Sequence, residues 1–118
     1  MPMLYTIETD GTVMGVNVDT LPSYEHRRTF LNCTVMEHVA VLFQGREAHM
    51  FIDEDGLSKE LPLNHRASRV YANVVLARHG QATYDDLTVA PSRGVVLTVE
   101  RPLVIVGRAI LWCGKLPR

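Results

Sequence analysis

In "MLYTIETDGTVMGVNV", Asp10-Gly11 separates two short strand-like segments. Asp-Gly takes up the positive φ angles of a tight hairpin turn, so the pair commits the start of the chain to two antiparallel strands. In the second segment Met14, Val16 and Val18 alternate with Gly15, Asn17 and Asp19, which predicts a strand with one buried face. Further on, Ser23 is placed to cap a helix through "LPSYEHRRTFLN", with Glu25 in its first turn and Tyr24, Phe30 and Leu31 as its apolar residues. Two more strands flank Gln44-Gly45. Residues 39 to 43 are apolar at every position, which predicts a central strand, while Ala48, Met50 and Ile52 alternate with Glu47, His49 and Phe51. The final segment, "GVVLTVERPLVIVGRAILWCG", is rich in β-branched residues, with a break at Arg101-Pro102 and a bulge expected at Gly107. These patterns predict an α+β fold: a mainly antiparallel, or mixed, sheet with one or two short helices packed on it.

A chain of 118 residues suffices for one domain, spanning 1–118, and is short for two. Its 47% hydrophobic and 21% charged content belongs to a folded globular protein. A net charge of −1 provides no long-range field for general nucleic-acid binding. No apolar run is long enough to span a membrane, and the first residues lack the pattern of a secretory signal, so a cytoplasmic setting is expected. Cys33 and Cys113 are isolated in sequence and read as free thiols of a reducing compartment.

The stretch "FIDEDGLSKELPLNHRAS" concentrates the polar chemistry. With Gly56 as the obligatory glycine of a calcium loop, Phe51 and Pro62 fall where the first and last ligands belong, so the acids read as a solvated turn and not a calcium site. Asn64 is suited to cap a short helix whose apolar face is Ala67, Val70, Tyr71 and Val74, opposite Arg66, Arg69 and Asn73. Arginine near a helix start opposes the macrodipole by a few tenths of a kcal/mol to roughly 1 kcal/mol. Something negative should offset that cost. Either a bound anion sits on Asn64, Arg66 and Arg69, or a nearby acid among Asp53, Glu54, Asp55 and Glu60 pairs with an arginine.

Other chemistries lack parts. Arg78-His79-Gly80 resembles the start of the histidine phosphatases, but no histidine follows His79 to complete their phosphate pocket. The five histidines show no zinc-ligand spacing, and no Walker loop, serine elbow or dinucleotide fingerprint occurs. No catalytic set, metal site or cofactor is therefore expected. The irregular segment 80–94, "GQATYDDLTVAPSRG", reads as an exposed loop, with Tyr84 and Arg93 as its candidate partner contacts. Terminal strands extending a sheet across a dimer, with Trp112 at the contact, are a third possibility.

Two segments, "IDEDGLSKELPLNHRAS" and "PLVIVGRAILWCG", together resemble domain-of-unknown-function family 3846 of phages and plasmids. The matching positions run from Asp53, Glu54 and Gly56 through Leu61, Pro62, Asn64, Arg66 and Ala67 to Ile105, Val106, Gly107 and Ala109. The resemblance covers about residues 33–72 and 103–114 and departs in a long insert between Ala72 and Leu103. It implies a phage or mobile-element accessory protein in the bacterial cytoplasm and transfers no activity. The expected function is non-enzymatic binding of a host or defence protein. The alternative is a small-ligand binder holding a nucleotide or other anion at Asn64, Arg66 and Arg69.

Overall fold

Among the described residues, eight elements form in chain order: β1 Met3–Ile7, β2 Val13–Asn17, α1 Tyr24–Leu31, β3 Met36–Phe43, β4 Arg46–Asp53, α2 His65–Tyr71, α3 Asn73–Arg78 and β5 Ala109–Trp112. The computed structural model describes residues 2–91, 94–96 and 103–117. Arg93 and the Arg101-Pro102 break lie outside them. The five strands make one antiparallel sheet in the order β2-β1-β5-β4-β3, with β5 closing the gap between two hairpins. The Cα radius of gyration, 13.5 Å, is that of a single domain of this length.

Both hairpins follow their turn residues. Gly11 has φ 93°, Glu8 N donates to Thr12 O at 2.8 Å, and Asp10 Oδ1 accepts from Thr12 N at 2.8 Å. Gln44 and Gly45 both have positive φ, 54° and 74°, as a two-residue turn between right-twisted strands requires. The helix caps also form as the sequence indicates: Ser23 accepts from His26 N, and Asn64 accepts from Ala67 N.

Apolar side chains fill both faces of the sheet. Ile7, Met50 and Leu111 lie on one face beneath Ala67, Val70 and Leu87. Leu4, Phe51, Ile110 and Trp112 lie on the other, beneath Leu21, Leu31 and Cys33. β4 and β5 are therefore covered on both sides, and full burial of a large apolar side chain contributes about 1.5–3 kcal/mol each.

Several sequence expectations change in this setting. Residues 39–43 do not form a central strand: β3 is a sheet edge, with Val41 and Phe43 buried and Ala40 exposed. The centre falls to β5, which needs no apolar run longer than four residues because its partners flank it on both sides. On β2 the expected buried face is largely in solvent, with Met14 69% and Val16 52% exposed, because β2 is the other edge. Trp112 is 1% exposed, and its indole N–H donates to Lys115 O at 2.9 Å, so it cannot form a dimer contact. Cys33 and Cys113 are free thiols, packed with opposite apolar clusters.

Candidate functional site

The segment after α3 is anchored from below by α2, α3 and the β3–β4 turn. Asn73 Nδ2 donates to Leu42 O at 2.8 Å and Tyr84 O at 3.0 Å, while its Oδ1 accepts from Tyr84 N at 2.7 Å. Asp85 Oδ1 accepts from Gln44 N at 2.8 Å. Arg66 Nη1 donates to Leu87 O at 2.6 Å, to Val89 O at 2.7 Å and to Tyr84 Oη at 3.0 Å, and the Tyr84 hydroxyl also donates to Val89 O. Leu87 drops into the apolar core. Asp86, Thr88 and Val89 remain outside, Val89 56% exposed. Asp86 accepts from both the N–H and the hydroxyl of Thr88, which hold its carboxyl below the ordinary range.

This arrangement corrects the loop reading. Tyr84 is half-buried and points inward, so it supports the loop and is not an exposed anchor. The segment is not merely an exposed loop, because Leu87 is a core residue that interrupts no sequence period. Asn73, Asp85 and Gln44 had no sequence signal as loop anchors, since their partners are up to 41 positions away.

The polar residues of the helix start separate. Asn64 is fully buried; its Nδ2 donates to Ile7 O and Gly107 O, both at 2.9 Å, and ties the end of β1 to the approach to β5. Ser68 Oγ donates to Asn64 O and accepts from Ile105 N, both at 2.7 Å. Arg69 and Asn73 are buried, not on an outer polar face, while Val74 is exposed; Arg69 Nη1 donates to Gly94 O at 3.1 Å. The acids do not meet Arg66: carbonyl oxygens take its Nη1, and Asp53 pairs with Lys59 at 2.6 Å. Asp53 is itself buried and accepts from Asp55 N, so the acidic turn is solvated only at Glu54, Asp55 and Glu60. Asn64 and Arg66 line one cleft, whose Gly94 accepts from Arg69.

A cleft of about 460 Å³ opens beside α2, between the β1–β2 turn and Ala90, Pro91 and Gly94. Arg66 Nε, His65, Glu8 and Asp10 contribute its charge and hydrogen-bonding groups. Glu8 pairs with Arg108 at 2.9 Å, and hydrogen bonds from Thr12 keep the Asp10 carboxyl below its ordinary value. The lining therefore carries both signs of charge.

On the other face, His38 Nε2 and His49 Nδ1 lie 2.9 Å apart, and the His38 ring stacks on Phe51. Burial and His38 together push the His49 imidazole below its ordinary pKa, against a smaller opposing effect of Glu47. Arg78-His79-Gly80 is the exposed end of α3, not a strand end. Among the described residues no three His, Cys, Asp or Glu side chains gather as metal ligands, and no helix is long and apolar enough to cross a membrane. Compared with protein-family models, characterised proteins and solved structures, the chain matches none.

Proposed function

We propose that the chain is a non-enzymatic accessory protein of a phage or other mobile element, working in the bacterial cytoplasm by binding a host or defence protein through the loop tip 86–90. The observation carrying this reading is the clamp beneath the tip: Arg66, Tyr84 and Asn73 hold the loop by its backbone while Val89 projects outward. A loop already held in shape loses less conformational entropy when it binds, so its few exposed groups contribute more of their contact energy to affinity. The phage-family resemblance supports the accessory role, and its motif residues Asn64 and Asp53 have internal structural partners.

Pull-down from host lysate with tagged wild-type protein, beside Val89→Asp and Thr88→Ala, tests the reading. A partner retained by the wild type and lost from Val89→Asp, with unchanged thermal stability, is the expected result. A wild type that retains nothing and turns over members of a nucleotide panel overturns it.

The mixed-charge cleft favours a second reading, a small-ligand site using Arg66 and His65. A ligand at a hundredfold excess over its Kd stabilises the fold by about 2.7 kcal/mol. Thermal shifts across cyclic and linear nucleotides, diminished in His65→Ala, are its expected signature; no shift counts against it.

A further inference from the structure

We propose that β2 pairs with β2 of a second copy of this chain, extending the sheet across a two-fold axis at Gly15. Val18 N donates to Pro2 O and Glu8 N donates to Thr12 O. In the observed register these fix Thr12, Met14, Val16 and Val18 as the residues whose backbone groups turn toward β1. The N–H and C=O groups of Val13, Gly15 and Asn17 consequently point away from the sheet. They form an edge with no charged residue and no proline, the features by which sheet edges are commonly protected. The opposite edge, β3, carries exposed Glu37 and His38.

The occupant follows from register. Antiparallel pairing that satisfies all three outward residues sets Val13 against Asn17 of the other copy and Gly15 against Gly15, each pair exchanging two hydrogen bonds. The same register sets Met14 directly opposite Val16 of the other copy, twice, on one face. Those are the two side chains β2 leaves 69% and 52% exposed. One alignment thus satisfies the free backbone and covers the exposed apolar pair. Glycine at the axis has its own reason, since a Cβ on Gly15 would lie 2.9 Å from both Met3 Cε and Tyr5 Cε1.

A contact between two five-residue strands buries less than the ~1,200 Å² of a standard interface, so the dimer is weak and concentration-dependent.

Sedimentation of the chain over a concentration series, combined with variants that each add one cysteine to Cys33 and Cys113, tests the proposal. The wild type should pass from monomer to dimer, and Val16→Glu should weaken self-association about tenfold or more. Directly opposite, non-hydrogen-bonded residues have Cα atoms ~4.5 Å apart, within disulfide reach. Oxidising an equimolar mixture of M14C and V16C should cross-link the two variants, while neither alone exceeds the wild-type background. A monomer at millimolar concentration, a dimer indifferent to Val16→Glu, or M14C that cross-links equally well to itself each overturns the proposal.

Discussion

Two buried asparagines do related jobs at the starts of α2 and α3. Asn64 connects β1, the approach to β5 and the start of α2, while Asn73 connects the end of β3 to the loop at Tyr84. Each amide supplies two donors and an acceptor to backbone groups that otherwise lie away from water, and an unsatisfied buried carbonyl costs about 1–3 kcal/mol. Asn64→Ala also removes a helix cap, so urea denaturation should record a loss of roughly 3–5 kcal/mol. Asn64→Asp keeps the capping oxygen but turns an acceptor toward Ile7 O and Gly107 O; it should be no less damaging than the alanine variant. A milder loss in Asn64→Asp would mean that the cap, not the carbonyl bridge, is the main contribution. The capping role was legible because a cap and its helix are neighbours in sequence. The bridge was not, since its acceptors are 57 and 43 positions away.

At the scale of elements, turns and caps were legible and strand neighbours were not. Asp10-Gly11, Gln44-Gly45, Ser23 and Asn64 act through local backbone geometry, which sequence specifies directly. The apolar run at 39–43 shows only that apolar neighbours are available, and an edge strand under helices supplies them on one face as a central strand does on two. The loop 80–94 misled for the converse reason: one buried leucine in an irregular polar segment produces no period. Leu87→Ala should destabilise the protein by about 2–4 kcal/mol. Replacing residues 82–92 with a Gly/Ser linker should cost more, because the Asn73–Tyr84 bonds go with the leucine. A linker variant with wild-type thermal stability would remove this segment from the core.

For the whole molecule, pH acts through the face carrying the histidine pair. His49 titrates below its ordinary value of 6.5 in the fold, so the unfolded chain binds its proton first as pH falls. Its contribution is complete above the ordinary imidazole range and declines as pH drops below about 6.5 toward the depressed folded value. Urea midpoints between about pH 8 and about pH 5 should fall with acidification. They should fall less steeply in His49→Gln; equal slopes would assign the effect to other groups. Thiols provide a second global readout. Burial raises Cys33 and pushes Cys113 up to about 11, so both should resist alkylation at neutral pH until the chain unfolds. Rapid labelling of the native protein would contradict that packing.

The place of β5 between two hairpins has a consequence for how the sheet is made. Each hairpin forms from neighbouring residues, yet β1 and β4 keep open inner edges until a strand ending at Trp112 is inserted between them. During synthesis, every residue through Trp112 must therefore leave the ribosome before the central pairing begins. Until then it carries two unpaired apolar edges, the kind of surface on which nascent chains associate wrongly. Closure by so distant a segment also lengthens the search for the native state. Cellular yield should consequently depend more on elongation rate and chaperone supply than two local hairpins alone would imply.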